Sequence, residues 1–159
     1  MNEILITPVT AYLEERNIPY CFFSHPGVVK SLEQAANERG QRPDQIIRSI
    51  LFRLSKGVFV MVLVSGSRQV SWPALRQHLG ISRISMATEM EVMDVTGYPS
   101  GAVSPFGTIQ PVRVLMDKGI LAEQEISIGS GVRYTTVIMQ RDDFMRALEE
   151  VEIGDFASQ

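Results

Sequence analysis

The alternation of apolar and polar residues is clearest in the middle of the chain. Two runs rich in β-branched and aromatic residues, 46–54 and 58–65, are separated by the short sequence Ser-Lys-Gly at 55–57. Such runs are typical of strands, and a short connection containing glycine predicts that they form a hairpin. Four further strands are predicted, over residues 19–25, 112–116, 125–128 and 134–139.

Capping signals between these runs predict five helices. A Thr-Pro pair opens the first helix, Ser or Thr residues followed by Gln, Glu or Pro open the next three, and glycines close two of them. The expected helices cover residues 8–16, 32–39, 72–79, a short segment after 88, and 140–151. The last of these shows an apolar stripe of Phe144, Leu148 and Val151. Because strands and helices do not alternate regularly, we expect one α+β domain over residues 1–159, with a mixed, mostly antiparallel sheet flanked by helices.

One long segment carries neither pattern. Residues 96–107, TGYPSGAVSPFG, contain three glycines and two prolines. Glycines admit backbone conformations closed to other residues, and prolines stiffen a loop. A rigid loop of small residues is able to direct backbone N–H groups at a carbonyl oxygen. From the pattern alone, an ordinary long connection is the alternative interpretation.

Composition limits the class of protein. Apolar residues make up 45% of the 159 residues and charged residues 21%, as in ordinary globular proteins. No run of 18 apolar residues predicts a membrane span, and the N-terminus lacks the features of a signal peptide. Cys21 is the only cysteine, so we expect no internal disulfide. These features favour a cytoplasmic protein.

Charge is distributed unevenly. The net charge is −3, yet residues 30–83 hold nine basic and three acidic side chains, which leaves them at +6. Such a distribution would suit one basic face that binds phosphates. Random clustering on a solvated surface is the alternative.

Several chemistries have no support in the sequence. There is no GxxxxGK[ST] phosphate loop, no HExxH zinc motif and no GxSxG nucleophile elbow. Only two histidines, His25 and His78, are available. We therefore expect no metal and no cofactor.

Arg48 is unusual for its position. In a strand over 46–54 its side chain shares a face with Ile46, Ile50, Phe52 and Leu54. A guanidinium among apolar side chains is costly unless it meets an anion or opens into a cleft. Alternatively, Arg48 lies at the end of the strand and extends to water.

Five segments taken together resemble a known family. In order they are SLEQAA (31–36), QIIRSILFR (45–53), FVMVLVSG (59–66), WPALRQHLG (72–80) and TGYPSGAVSPFG (96–107). They are similar to the YbaK/ProX-type aminoacyl-tRNA editing domain over roughly residues 20–150. Its characteristic GxxxP motif corresponds to Gly101–Pro105. The resemblance implies hydrolysis of the ester between a wrong amino acid and tRNA, by a free-standing protein whose partner is the aminoacyl-tRNA acceptor end.

The resemblance also implies a set of site residues. Arg48 and Gly101 are the expected catalytic residues, with the backbone near Gly101 holding the substrate carbonyl. The expected substrate-binding residues are His25, Ser49, Ser65, Gly66, Tyr98, Ser104, Pro105, Phe106 and Gly129. For His25 the alternative is a structural turn residue, and for Tyr98 it is packing of the loop.

The chain departs from the family at position 48, where lysine is usual. A lysine can be tuned in pKa, whereas an arginine stays protonated and does not serve as a general base. The leading hypothesis is a trans-acting aminoacyl-tRNA deacylase. The alternative is a non-catalytic binding module on the same fold, in which the pocket has been repurposed for a small anion, an amino-acid moiety or a protein partner. A regulatory protein that binds tRNA without hydrolysis is a third hypothesis.

Overall fold

Capping residues set the beginnings of the helices. The structure, a computed structural model, describes residues 6–158. Thr7, Ser31, Ser71 and Thr88 each accept a hydrogen bond from a backbone N–H of the helix that follows, which satisfies a donor otherwise left without a partner. The helices are α1 (Pro8–Glu15), α2 (Leu32–Arg39), α3 (Trp72–Leu79), α4 (Glu89–Thr96) and α5 (Arg141–Ala147).

The strands form two main sheets and a two-stranded ribbon. The strands are β1 (Cys21–Ser24), β2 (Ile47–Ser55), β3 (Val58–Ser65), β4 (Gln69–Val70), β5 (Ser85–Met86), β6 (Arg113–Asp117), β7 (Glu125–Gly129), β8 (Thr135–Gln140), β9 (Glu152–Gly154) and β10 (Ala157–Ser158). Their orders are β5-β2-β3-β6-β9, β1-β8-β7 and β10-β4. The β2–β3 hairpin is antiparallel, whereas β6 runs parallel to both β3 and β9. The expected α+β fold with a mixed, mostly antiparallel sheet is confirmed.

Both faces of the five-stranded sheet are covered. Along β3, Val60, Val62 and Val64 pack into one hydrophobic cluster, while Met61 and Leu63 pack into the other. Because successive side chains of a strand point to opposite faces, a strand buried on both sides has a continuous apolar sequence. This explains why residues 59–64 contain no polar residue.

Among the described residues, one β-bridge links the two main sheets. A parallel bridge joins Ile46, just before β2, to Ser127 of β7. Beyond this bridge β2 pairs with β3 and β5 but not with β7. The space between β2 and β7 is therefore not closed by a ladder of hydrogen bonds.

The sequence was misread at the C-terminal helix. The helix predicted over 140–151 ends at Ala147, because Leu148 takes an extended backbone with φ −79° and ψ 106°. Residues 152–154, just beyond the predicted helix, form β9 on the edge of β6. Pairing with an open sheet edge satisfies backbone groups that a longer helix would also have satisfied, and here the edge pairing prevails.

Residues 6–158 offer neither a membrane-spanning helix nor a cluster of metal-binding side chains. No helix in this range has the length and apolar character to cross a membrane. The same residues contain no group of three or more His, Cys, Asp or Glu side chains placed to hold a metal ion.

Candidate functional site

A cavity of about 270 Å³ lies where β2 begins and the two main sheets diverge. Four parts of the chain line it: the end of α2, the first residues of β2, the loop between α4 and β6, and the adjoining ends of β7 and β8. The lining residues are Arg39, Ile46, Ile47, Arg48, Ser49, Ile50, Gly101, Val103, Ile128, Gly129, Thr135 and Thr136. Arg48 and the glycine-rich loop thus line the same cavity.

Arg48 is fixed by the backbone of the segment that follows β3. Its Nε donates to the carbonyl oxygen of Gly66 at 2.9 Å, and its Nη2 donates to the carbonyl oxygen of Arg68. Partial burial lowers the pKa of Arg48, because desolvation disfavours the charged form. Arg48 is half-buried and is one of the residues that line the cavity.

Arg39 is a second guanidinium in this cavity, which sequence reasoning missed. Its Nε donates to His25 Nε2 at 3.0 Å, and its Nη1 donates to Ser127 Oγ at 2.8 Å. Burial lowers the pKa of Arg39 to about 10. A signal existed in the sequence: Arg39 follows the buried residues Ala35 and Ala36 at helical spacing, so it lies on the inward face of α2.

His25 positions Arg39 through a hydrogen bond. Because His25 Nε2 accepts from Arg39, the ring proton lies on Nδ1, which donates to Glu38 Oε1 at 2.7 Å. Hydrogen bonds from Gln34 and His25 lower the pKa of the Glu38 carboxyl. His25 does not line the cavity, and its contact with the site is through Arg39.

Glycines bring the loop close to the strands. At Gly129, a Cβ atom would lie 2.3 Å from the carbonyl oxygen of Val103, so any side chain there would collide with the loop. Gly101 has φ +89°, a conformation that favours glycine, and a Cβ atom on it would meet no atom within 4 Å. The loop therefore packs tightly at Gly129 and stays open at Gly101.

Three of the expected substrate-binding residues stabilise the loop from within. Tyr98, Ser104 and Phe106 are buried and outside the cavity lining. The Tyr98 hydroxyl donates to the carbonyl oxygen of Phe106 at 2.5 Å, and Ser104 Oγ accepts from the Phe106 N–H at 3.1 Å. Pro105 lines a separate hollow beside Tyr12. These residues shape the loop without facing the cavity.

The remaining expected residues divide between lining and support. Ser49 lines the cavity, and its Oγ is buried without a hydrogen-bond partner among the described residues. Ser65 is buried opposite Ile47 in the β2–β3 ladder, outside the lining. Gly66 is also outside the lining, and its carbonyl holds Arg48. A Cβ atom on Gly66 would lie 2.6 Å from Asp44 Oδ1.

The charges of the cavity are unbalanced. Two guanidiniums line it, and no Asp, Glu or His among residues 6–158 does so. Hydroxyl groups of Ser49, Thr135 and Thr136 supply the other polar side chains. Such a set can hold an anion or polarise a carbonyl group, because its positive charge is partly desolvated and lacks a counterion at the surface of the cavity.

Comparison with known proteins gives a family and a set of relatives. Residues 25–147 match the family described as the aminoacyl-tRNA editing domain. The chain is 31% identical to the proline–tRNA ligase of Thermosipho melanesiensis over 121 residues, which is 74% of this chain and 21% of that enzyme. It is also 31% identical to the proline–tRNA ligase of Kosmotoga olearia over 120 residues, or 74% of this chain and 20% of that enzyme. The chain spans about a fifth of the length of these curated relatives.

Among solved structures, the fold is similar to a candidate trans-editing enzyme for prolyl tRNA synthetase. The two chains superpose with a TM-score of 0.86 at 24% identity, over 96% of each chain. At this identity the superposition establishes a common fold.

Proposed function

Since the chain belongs to the aminoacyl-tRNA editing domain family, we propose that it is a trans-acting deacylase that hydrolyses the ester of mischarged tRNA. Its similarity to proline–tRNA ligases supports tRNA as the substrate class. Action in trans is supported by the match to a candidate trans-editing enzyme over 96% of both chains.

One observation carries the proposal: Arg48 and Gly101 line the same cavity. Arg48 supplies positive charge, and Gly101 supplies a stretch of backbone with no side chain to cover it. An ester carbonyl placed between them would have a cation on one side and backbone N–H groups on the other. This is the arrangement that stabilises the negative charge formed when an ester is attacked.

The proposed reaction is addition of water to the ester carbonyl. The water oxygen bonds to the carbonyl carbon, and the bond from that carbon to the ribose oxygen then breaks. One proton of the water goes to the ribose oxygen, and the other is released to solvent from the new carboxylic acid. The products are a free amino acid and a tRNA with an intact terminal ribose.

Gly101 is the proposed backbone donor. No acceptor for its N–H is found within residues 6–158. The absence of a side chain leaves the space beside it open to the substrate. One such donor is worth roughly 10²–10³ in rate when it binds the developing oxyanion.

Arg48 acts in this scheme as a fixed positive charge. Its pKa is lowered by burial, yet a guanidinium stays protonated near neutral pH and does not accept the proton of the water. Two of its donors are held by backbone carbonyls. The others are available for the substrate carbonyl or for the terminal phosphate.

Ser49 is the proposed hydrogen-bonding group for water or ester. Its buried Oγ has no protein partner among the described residues, although it lines the cavity. A buried hydroxyl without a partner is costly, so a bound water or substrate oxygen would stabilise it.

The test is a deacylation screen. The purified protein is incubated with several tRNAs, each charged with a wrong amino acid, and release of the amino acid is followed over time. We expect multiple turnovers on at least one mischarged tRNA. Release no faster than in buffer, for every tRNA of the panel, would contradict the proposal.

A non-catalytic anion-binding module is the second candidate. The observation that favours it is the cavity lining, in which two guanidiniums occur without a side chain able to act as general base. Arg48→Lys separates the candidates, because lysine is usual at this position in the family. Gain of deacylation by the variant over an inactive parent supports the module, whereas an active parent supports the enzyme.

A further inference from the structure

A second hollow lies at the opposite end of β2 from the cavity. It is open to solvent and has a volume of about 930 Å³. Its charged and aromatic lining residues are Arg53, Lys56, Trp72, Arg76, Arg83 and Glu91. We call this hollow the basic cleft.

The cations of the basic cleft come from three parts of the chain. Arg53 and Lys56 belong to the end of β2 and its hairpin turn, Arg76 belongs to α3, and Arg83 lies in the segment before β5. The fold therefore brings together cations that are separated in the sequence. The five other basic residues of the segment 30–83 lie outside the cleft: Arg39 and Arg48 line the cavity, Arg42 and Arg68 pair with Glu123 and Asp117, and Lys30 precedes α2.

Among residues 6–158, three of the four cations have no carboxylate partner. Glu91 is the one carboxylate of the lining, and it pairs with Arg53 at 3.3 Å. Within residues 6–158 no carboxylate lies within 4.0 Å of the charged groups of Lys56, Arg76 or Arg83. In a chain of net charge −3, such a local excess of positive charge favours a polyanionic ligand.

The ring of Trp72 adds an aromatic wall. It is half-buried and packs edge-on against Phe52 with ring centroids 5.3 Å apart, which fixes its position. Fixed aromatic rings beside cations are the elements with which proteins bind nucleic acids, through stacking on bases and charge on phosphates.

We propose that the basic cleft binds the phosphate backbone of the RNA whose charged end enters the cavity. The inference rests on the proposed function for the identity of that RNA. Arg48 and Arg53 are five residues apart on one extended strand, so their Cα atoms are separated by about 17 Å. A nucleic-acid backbone advances by only a few ångströms per nucleotide, so the cleft would meet phosphates several nucleotides from the charged end.

The test measures binding of deacylated tRNA, which makes it independent of hydrolysis. Affinity is determined by fluorescence anisotropy over a series of salt concentrations, for the parent and for the double variant Lys56→Gln/Arg83→Gln. Each lost phosphate contact lowers the slope of log K against log[salt] by about 0.7–0.9. We therefore expect a slope that is less steep by about 1.4–1.8, together with weaker binding.

Matched variants control for charge and folding. Arg146→Gln removes an exposed arginine of α5, outside both hollows, and should leave the slope unchanged. Lys56→Arg/Arg83→Lys keeps both charges and should retain the parent slope. Thermal unfolding confirms that all variants are folded. Equal slopes for the parent and the double glutamine variant would overturn the proposal, as would displacement of the labelled tRNA by polyglutamate as effectively as by unlabelled tRNA.

Activity on a small ester substrate tests the proposed deacylase function independently of the basic cleft. An aminoacyl ester of adenosine carries the reacting ester without the phosphate backbone that the basic cleft is proposed to bind. The double glutamine variant should hydrolyse it at the parent rate while losing activity on full tRNA. If the protein hydrolyses the small ester but the variant has the parent's salt slope for tRNA, only the proposal for the basic cleft is contradicted. If the variant changes the salt slope but neither substrate is hydrolysed, only the proposed deacylase activity is contradicted.

Discussion

Arg39 and Arg48 occupy the same cavity but are held in different ways. Arg48 is fixed by two backbone carbonyls, whereas Arg39 is fixed by the side chains of His25 and Ser127. Both have a lowered pKa caused by burial. His25 Nε2 and Ser127 Oγ both accept a hydrogen bond from Arg39, so replacing Arg39 would remove a partner from each of them.

Replacement of Arg39 should affect both activity and stability. Arg39→Gln removes one of two cations from the cavity and leaves His25 and Ser127 with an unpaired group, at a cost of about 1–3 kcal/mol. We expect kcat/KM on mischarged tRNA to fall by roughly 10–100-fold, which corresponds to about 1.4–2.8 kcal/mol of transition-state stabilisation. The control is Arg42→Gln, an exposed arginine near α2 that pairs with Glu123 outside the cavity. Equal losses in the two variants would count against a role for Arg39 in the site.

At the scale of elements, the loop of residues 97–112 depends on its contact with the end of β7. Gly129 allows that contact, because the loop carbonyl of Val103 approaches where a Cβ atom would be. The strand end and the loop thus form one wall of the cavity. A substitution at this contact should therefore alter the wall of the cavity without replacing Arg39 or Arg48.

Gly129→Ala should destabilise the protein and reduce activity. The added methyl group would lie 2.3 Å from the oxygen of Val103, and relief of such overpacking costs about 1–3 kcal/mol. We expect a lower melting temperature and a loss of deacylation. Gly27→Ala is the control, since a Cβ atom there meets nothing within 4 Å. A Gly129→Ala protein as stable and active as Gly27→Ala would contradict the packing argument.

Local signals predicted most of the elements. The caps at Thr7, Ser31, Ser71 and Thr88 marked the helix starts correctly, because capping depends on neighbouring residues alone. Strands β4, β5, β9 and β10, of two or three residues, were missed. They exist through pairing with distant segments, and so short a run carries no periodic signal.

The site was less predictable than the fold. The resemblance indicated Arg48 and the Gly101 loop, and both line the cavity. It did not indicate Arg39, whose side chain is placed by hydrogen bonds to residues distant in sequence, His25 and Ser127. Tyr98 and Phe106 were expected at the substrate but pack within the loop, because a sequence motif does not distinguish residues that face a pocket from residues that shape its wall.

At the scale of the whole molecule, the edge of the five-stranded sheet is held by an ion pair. Arg113 of β6 donates from Nε to Glu152 of β9 at 2.5 Å and from Nη2 at 2.7 Å. His78 of α3 contacts the same carboxylate at 3.1 Å. The hydrogen bond from Arg113 is the main cause of the lowered pKa of Glu152, which is about 2. The hydrogen bond from His78 also lowers this pKa, by less.

Acid should remove this stabilisation. A carboxyl group with a lowered pKa stabilises the folded state above its ordinary pKa, and that contribution is lost as pH falls through the folded value. Glu152→Gln should therefore melt below the parent at pH 7, and the difference should shrink between about pH 4.5 and pH 2. Glu150→Gln, an exposed neighbour, serves as the control in a series of melting curves. A difference that is constant over this range would contradict the assignment.

The most direct measurement of the central claim compares the parent with Arg48→Ala on one mischarged tRNA. If Arg48 and the Gly101 loop act together on the ester, single-turnover release of the amino acid should slow by at least about 10²-fold, the scale of one lost group that stabilises the oxyanion. Arg146→Ala, which changes an exposed arginine outside the cavity lining, should release it at the parent rate. Equal rates for the parent and a folded Arg48→Ala protein would remove Arg48 from the reaction and contradict the account.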